Sequence, residues 1–237
     1  MTDRDRETQL LQTFVTLADS LVTGFDTIDV LQMLVERTTA LFDAADAGII
    51  LAGSTGELEV IASTNERSKL LGLLQLRAGE GPCVESYTTG SVVSVPDLGE
   101  IDERWPVFAD LARDSGYGSV HAIPLRLRDQ TLGSLNLFRD TTGVLNEDDA
   151  TAAQALADVA TISILQERAL REIDSTRDQL QRALDSRIVI EQAKGVVSYT
   201  QSVDMDEAFQ RIRRYARANR LPLVEVAADV VAQRLTV

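Results

Sequence analysis

Five arginines lie within residues 211–220, and their spacing gives this segment a strongly basic helical face. Arg213, Arg217 and Arg220 follow one another at i, i+4 and i+7, which places them on one side of a helix. Arg211 and Arg214 complete the group, and no acidic residue interrupts it. A guanidinium group pairs with phosphate through two parallel hydrogen bonds and also stacks on bases. The pattern indicates a nucleic-acid surface, or alternatively a solvated helix face.

A second candidate is the pair Lys194-Gly195, which falls inside a predicted helix. Glycine in a helix interior costs about 1 kcal/mol relative to alanine. Its presence therefore indicates that another backbone comes close, either a neighbouring helix or a nucleic acid. Lys194 stands beside it to neutralise phosphate, and Arg187, seven residues earlier, lies on the same helical face.

Two further side chains are candidates for a sensor site. Cys83 follows Pro82 at a predicted helix N-terminus, where the helix dipole favours a thiolate, so it is either a redox sensor or a buried small residue. His121, in a predicted strand, is either a haem ligand or a structural hydrogen-bonding group. Trp105 and Phe108 either pack in the core or line a ligand pocket. With one Cys and one His, the sequence excludes an intramolecular disulfide and a His/Cys zinc cage.

Short strands and helices are predicted in the front part of the chain. Apolar residues spaced three and four apart predict helices over 7–22, ending at Gly24, and over 27–42. Turn residues and β-branched runs predict the remaining elements: a hairpin over 47–62, a helix over 65–76, a short helix from Pro82, a strand over 91–95, a helix over 105–115, and strands over 117–127 and 131–138. Without regular βαβ alternation, the expected fold is α+β, an antiparallel sheet with flanking helices.

Residues 146–198 are predicted to form one long helix, since neither Gly nor Pro occurs between Gly143 and Gly195. An alternating three-and-four register indicates a coiled coil and a homodimer, although the helix could instead lie against its own domain. This register contains Leu156, Val159, Ser163, Gln166, Leu170, Ile173, Arg177, Leu180 and Leu184.

A compact three-helix unit is predicted at the C-terminal end. Asp204 and Glu207 have the spacing of a capping box, so a helix is expected over 205–219. Pro222 suits the start of a last helix. The end of the long helix supplies the third element of the unit.

The C-terminal unit resembles an ANTAR domain over residues 176–234. The motifs that carry the resemblance are Arg187-Ile188-Val189-Ile190-Glu191-Gln192-Ala193-Lys194-Gly195, Asp206-Glu207-Ala208-Phe209, Tyr215-Ala216-Arg217 and Val226-Ala227. The resemblance implies an RNA-binding antitermination regulator that engages paired hairpins in nascent leader transcripts as a dimer and so prevents a terminator hairpin. Carried over by position, it implies RNA contacts at Ala193, Lys194, Gly195, Arg214 and Arg217. Arg187, Arg213 and Arg220 are added on charge and helical face.

The front part resembles a GAF domain of the actinobacterial type over residues 25–166. The resemblance is carried by Gly79-Glu80-Gly81-Pro82-Cys83, Val95-Pro96-Asp97-Leu98, Arg104-Trp105-Pro106-Val107-Phe108, Ile123-Pro124-Leu125 and Leu132-Gly133-Ser134-Leu135-Asn136-Leu137. It implies a sensory α/β module with a pocket between the sheet and its covering helices. Some members of the family bind cyclic nucleotides, haem or other small ligands, and many have no known ligand, so the resemblance leaves the ligand unknown. The expected organisation is an N-terminal helix over 1–24, the GAF domain over 25–166, a coiled-coil linker over 150–185 and the ANTAR domain over 176–234.

Charge and composition define the function classes that compete with this interpretation. The net charge is −14, but residues 1–165 hold 26 acidic and 11 basic groups, whereas residues 166–237 hold 11 acidic and 12 basic groups. A basic face is therefore compatible with the C-terminal part. A DNA-binding regulator and a protein-interaction or stress-signalling scaffold are the alternatives. No phosphate loop or catalytic triad occurs, so we expect no enzyme. We expect a cytoplasmic protein without membrane contact, because no apolar run of about 20 residues occurs.

Overall fold

The computed structural model describes residues 3–20, 26–53, 55–101 and 104–237, which divide into two compact units, Met1–Arg168 and Ala169–Val237. The side chains of Asp3, Leu111, Arg113, Asp174 and Ser175 are likewise outside this description. Among the described residues, no helix combines the length and the apolar character needed to cross a membrane.

The first unit is built on a five-stranded antiparallel sheet. The strands are β1 (Asp46–Ala52), β2 (Leu58–Ser63), β3 (Val93–Val95), β4 (Ser119–Leu127) and β5 (Gln130–Arg139), and their order across the sheet is β2-β1-β5-β4-β3. In the centre, Ile49 and Ile123 both pair with Leu135 of β5. The predicted α+β class and antiparallel sheet are confirmed. β3 is shorter than the predicted strand over 91–95.

Helices cover both faces of the sheet. α1 (Asp3–Ser20), α2 (Thr27–Leu41) and the start of α6 (Glu147–Gln201) pack on one face, against Ile49, Ile123 and Leu135 among others. α3 (Glu66–Ala78), α4 (Pro82–Thr89) and α5 (Pro106–Ser115) belong to the other face. The side chains of β4 alternate between the faces, as Val120 and Ala122 join the second core. The predicted helix end at Gly24 lies outside the described residues.

Local sequence signals fix the ends of these helices. Asp26 caps α2 by accepting a hydrogen bond from the Ile28 backbone N–H at 2.9 Å. Asn65 and Ser68 form a capping box at the start of α3. Pro82 and Pro106 occupy the first turns of α4 and α5, where a missing N–H costs nothing. Of these signals, only Pro82 was used to predict a helix start from the sequence.

The second unit contains the rest of α6, α7 (Met205–Asn219) and α8 (Leu223–Val231). Its core is formed by small and branched apolar side chains from all three helices: Ala193, Val197, Ala208, Ile212, Ala216, Val226, Ala227 and Val230. Ser202, with a positive φ of 54°, lies in the turn between α6 and α7. The predicted bounds of α7 are confirmed.

The residues of the coiled-coil register predicted along α6 fall into two groups, one buried in the first unit and one exposed. Leu156 is fully buried in the first core and Val159 packs against that core, so these positions cannot face a partner helix. Between Leu170 and Ile188 the large apolar side chains are exposed. These exposed side chains, Leu170, Ile173, Leu180, Leu184 and Ile188, are named the α6 stripe below.

Candidate nucleic-acid interface

The basic helix α7 is positioned by a cap and a core. The Asp204 carboxylate accepts a hydrogen bond from the Glu207 backbone N–H at 2.7 Å, which satisfies a helix N-terminal donor. Ala208, Ile212 and Ala216 are buried along one side. Because the apolar side of α7 is committed to the core, its arginines must project elsewhere.

Four of the five arginines on α7 and its C-cap are exposed, and they have no ion pair within the part of the chain that the structure describes. These are Arg213, Arg214, Arg217 and Arg220. Arg211 differs from them, because its guanidinium lies 3.0 Å from the Glu207 carboxylate and also donates to the Gln201 side-chain carbonyl. Arg211 therefore links α7 to the end of α6, while the other four guanidinium groups are available to a ligand.

Lys194 is mostly buried and is held in place from two sides. Its side chain is 16% exposed, and its ammonium group lies 2.9 Å from a Glu191 carboxylate oxygen. The same ammonium group lies 5.9 Å from the centre of the Phe209 ring on α7. These contacts fix the positive charge of Lys194 near the α6–α7 contact. A phosphate would then compete with Glu191 for this charge.

Gly195 is exposed, and a Cβ atom built on it would meet no atom within 4 Å. Packing against another helix of this chain therefore does not explain the glycine. The remaining explanations are close approach by a nucleic acid or by a helix of a second copy of the chain. The surface over Gly195 is open to the backbone of a binding partner.

Ala193 is the one predicted RNA contact that the structure contradicts. Its side chain is 0% exposed and packs in the core of the second unit with Val197 and Ile212. It therefore positions α6 and offers no surface for RNA. The signal was present in the sequence, because Ile190, Ala193 and Val197 follow the i, i+3, i+7 spacing of an apolar stripe. Arg187, in contrast, is exposed two turns before Lys194.

Cys83 is buried in the first unit and does not fit a redox sensor. The side chain is 1% exposed, and burial raises the pKa of the thiol far above its ordinary value, so the thiol form is stable. The backbone hydrogen bonds at the start of α4 act in the opposite direction, but burial outweighs them. Of the two alternatives for Cys83, the structure supports the buried small residue; the helix-dipole signal does not reveal the depth of the residue.

The residues around Cys83 have a structural role that the sequence analysis missed. The Gln75 side-chain carbonyl accepts a hydrogen bond from the Cys83 backbone N–H at 3.0 Å. A Glu80 carboxylate oxygen accepts from the backbone N–H groups of Val107 and Phe108, at 2.6 and 3.0 Å. Two side chains near the end of α3 thus satisfy the N-termini of α4 and α5. The Gly79–Cys83 motif therefore joins three helices.

His121 is a structural hydrogen-bonding residue in the described structure. It is buried, and its Nδ1 atom lies 2.6 Å from the Ser94 hydroxyl oxygen. Burial lowers the pKa of the imidazole to about 4, and the positive charge of Arg139 acts in the same direction. Trp105 and Phe108 are buried in the second core of the sheet, in edge-to-face contact at 6.3 Å.

A second buried network centres on Asp46 at the start of β1. Its carboxylate accepts hydrogen bonds from the Tyr117 hydroxyl at 2.6 Å and from Thr64 at 3.0 Å. Burial raises the pKa of Tyr117, and the hydrogen bond to Asp46 adds to the effect. Arg67 stacks over the Tyr117 ring at 3.5 Å. Its guanidinium also borders a cleft of about 430 Å³ between α3 and α5. Among the described residues, no cluster of three His, Cys, Asp or Glu side chains could hold a metal ion.

The fold of the chain is similar to that of several solved structures. The GAF domain of a phosphoenolpyruvate-protein phosphotransferase from Acinetobacter is 16% identical, with a TM-score of 0.54, over 71% of this chain and 97% of that one. A free methionine-R-sulfoxide reductase from Neisseria meningitidis, solved with its substrate, is 17% identical, with a TM-score of 0.56, over 72% of this chain and 95% of that one. At these identities the likeness shows the fold alone. A search of curated proteins found no match.

The chain is a regulatory protein that has a sensory unit and a separate helical unit. The GAF domain family matches residues 26–164, and the chain belongs to that family. The ANTAR domain matches residues 178–231, so the chain is a GAF–ANTAR protein. The ANTAR domain implies an RNA-binding antitermination regulator, and the GAF domain implies a sensory input. Both are regulatory domains, and neither is a catalytic one.

Proposed function

We propose that this chain binds paired hairpins in nascent leader RNA and thereby prevents a terminator hairpin from forming. The observation that carries the proposal is the group of four exposed, unpaired arginines, Arg213, Arg214, Arg217 and Arg220, on α7 and its C-cap. They belong to the same unit as Lys194 and the open backbone at Gly195. A GAF domain in the same chain supplies the signal input.

The chemistry of these residues suits the phosphate backbone of a folded RNA. Arginine donates two parallel hydrogen bonds to phosphate, and each arginine that replaces counterions makes binding depend on salt. The open backbone at Gly195 lets a sugar-phosphate chain approach α6 closely, which a side chain would prevent. Lys194 then contributes a fixed charge at that point of approach.

A binding assay with matched variants tests this proposal. Wild type is titrated with a tandem-hairpin leader RNA at several salt concentrations, with duplex DNA of equal length as competitor. Arg217→Ala is expected to weaken binding about tenfold or more and to lower the salt slope, because a charge-assisted contact is worth roughly 1.5–3 kcal/mol. Lys194→Ala is expected to weaken binding less than Arg217→Ala does, because Glu191 already pairs with Lys194 at 2.9 Å. Arg234→Ala is the control. It removes the same charge from the same unit, but Asp229 already pairs with Arg234 at 2.7 Å.

Each outcome of this assay has a distinct meaning. Equal loss for Arg217→Ala and Arg234→Ala would show only a nonspecific charge effect and contradict the assigned surface. Preference for duplex DNA over hairpin RNA would replace the proposal with a DNA-binding regulator. Failure to bind any hairpin RNA by folded wild type would leave the scaffold interpretation.

We further propose that two copies of the chain pair through the α6 stripe. Leu170, Ile173, Leu180 and Leu184 are each more than half exposed in a helix that cannot bury them in its own unit. Arg177 interrupts the stripe, as polar residues do at coiled-coil positions that set register. A pair of chains would carry two RNA-binding units, which matches the need to hold two hairpins.

Sedimentation equilibrium tests the pairing. Replacing Leu180 and Leu184 together by Asp is expected to convert a dimer into a monomer, because two charges would be buried in the seam. The matched control replaces Gln179 and Ala183 by Asp, at the same spacing but one position earlier, about 100° around the helix. A dimer that survives the first pair of substitutions would exclude the α6 stripe as the interface.

A further inference from the structure

Tyr199 is the most exposed large side chain among the apolar and aromatic residues that the structure describes. It lies in the last turns of α6, and 88% of its surface is accessible. Its hydroxyl group makes no hydrogen bond within the described part of the chain. An aromatic ring in this position makes no packing contact that would stabilise the fold, so the stability of the free protein does not explain why a tyrosine occurs here.

The backbone that carries Tyr199 is firmly held. The Ser198 hydroxyl donates to the Val203 carbonyl at 2.6 Å, and the Val203 N–H donates to the Ser198 carbonyl at 3.2 Å. The Thr200 hydroxyl donates to the Val196 carbonyl at 2.7 Å. A tyrosine has two side-chain torsions, so ordering its ring on a fixed helix costs little entropy. The ring is thus presented on a rigid element.

The position of the ring relates it to the proposed RNA surface. Tyr199 follows Gly195 by four residues, so both lie on one face of α6, about 6 Å apart along the axis. The helical neighbours of Tyr199 three and four positions earlier, Val196 and Gly195, carry no negative charge, and neither do Ser202 and Val203, which follow the end of α6. A sugar-phosphate backbone that crosses Gly195 would therefore bring a base within reach of the ring without repulsion from these neighbours.

A contact between two copies of the chain accounts less well for Tyr199. The last apolar member of the α6 stripe is Ile188, which precedes Tyr199 by eleven residues, or about 16 Å along the helix. On the face between them lie Glu191, whose carboxylate pairs with Lys194, and Gly195. The apolar seam thus ends before Tyr199, whereas the open glycine adjoins it.

We propose that Tyr199 is a stacking platform for an unpaired base of the bound RNA, beside the phosphate contacts of Lys194 and α7. This rests on the proposed RNA-binding function and adds a base contact to it. Every base has a π-face, so the contact tolerates different sequences but requires an unstacked nucleotide. The bound RNA must therefore present a loop or bulge at this point, since a continuous duplex offers no free base face.

The test compares full-length Tyr199→Ala, Tyr199→Leu and Tyr199→Phe with wild type, using the tandem-hairpin RNA. Alanine and leucine are expected to weaken binding about 5- to 150-fold, whereas phenylalanine stays within about twofold. Leucine separates aromatic stacking from apolar contact. The salt slope should stay at the wild-type value, because no phosphate contact is lost.

A double-mutant cycle locates the base. RNAs carrying one abasic nucleotide at each loop position are titrated against wild type and Tyr199→Ala. One abasic position should weaken wild type as much as Tyr199→Ala does and should weaken the variant no further. Circular dichroism shows whether each variant is folded.

The failures of the two proposals are distinguishable. If wild type binds the RNA and Tyr199→Ala or Tyr199→Leu binds equally well, the stacking proposal is overturned while the RNA-binding function stands. If Tyr199→Ala becomes monomeric in sedimentation, the ring belongs to a contact between copies and the stacking proposal is likewise overturned. If wild type binds no hairpin RNA, the proposed function is overturned and this one with it.

Discussion

Replacing Gly195 with Ala should make the second unit more stable and its RNA complex weaker. Alanine favours a helix interior over glycine by about 1 kcal/mol. The added methyl group meets no atom within 4 Å in this chain, so no steric cost opposes that gain. The free energy of unfolding of the second unit should therefore rise by about 1 kcal/mol. If the urea dependence is about 1–2 kcal/mol per molar, the midpoint moves by about 0.5–1 M.

Two optical probes assign the stability change to the second unit. The chain has a single tryptophan, Trp105, which lies in the first unit, so its fluorescence follows that unit alone. Circular dichroism at the helix band follows both units. Gly195→Ala should shift the part of the dichroism transition that fluorescence does not report. A decrease in the stability of the second unit would refute the inference that the space above Gly195 is empty, and a shift of the fluorescence transition would assign the change to the first unit instead.

The effect on RNA binding has the opposite sign. If a sugar-phosphate backbone lies on Gly195, a methyl group forces it outward, and such overpacking costs about 1–3 kcal/mol, or about 5- to 150-fold in affinity. Thr176→Ala is the matched control, because it also raises helix propensity at an exposed α6 position, outside residues 178–231. It should gain stability and keep wild-type affinity. Unchanged RNA affinity in Gly195→Ala would refute backbone approach at this position.

Three further predictions follow from the geometry of single residues. Burial lowers the pKa of His121 to about 4, so the unfolded state takes up a proton at a higher pH than the folded state does. As the pH falls from 7 to 5, the free energy of unfolding should therefore decrease by about 1–2 kcal/mol. Urea titrations of His121→Gln should lack this part of the decrease. Cys83 should resist iodoacetamide until urea unfolds the first unit, since burial raises its pKa; rapid labelling of the native protein, detected by mass spectrometry, would contradict its burial. Asp204→Ala should destabilise the second unit by about 1 kcal/mol in the dichroism transition, because the 2.7 Å bond to the Glu207 N–H is lost, and Asp204→Asn should retain most of it.

Local signals predicted the elements of the fold, because each depends on residues close in sequence. Asp204 and Glu207 marked the start of α7, and Gly116 adopts the left-handed conformation that ends α5. The absence of Gly and Pro after Gly143 predicted the single helix α6. These are the features that propensity and capping decide without tertiary structure.

Contacts between distant segments determine the structural features that local sequence signals do not predict. Glu80 accepts from the start of α5, 27 residues further on, and no periodicity marks that partner. The helix N-terminus at Cys83 favours a thiolate, but the residue is buried within the first unit, and its burial outweighs the effect of the helix dipole. Ala193 was assigned to the RNA surface by motif position, although its periodicity with Ile190 and Val197 already placed it in the core.

Ion pairs between residues three to five positions apart help to explain how a chain of net charge −14 can present a basic surface. The whole acidic excess lies before residue 166, since residues 166–237 hold 11 acidic and 12 basic groups. Within the second unit, several carboxylates already have partners of their own: Glu191 with Lys194, Glu207 with Arg211, Asp229 with Arg234, and Asp204 with the α7 N-terminus. Neutralised pairs contribute little field at a distance, so the potential near α7 is set by the four arginines that lack such partners and, in the first turn of the helix, by the exposed carboxylate of Asp206. The arrangement of the pairs therefore decides where an anion can bind, and the net charge does not.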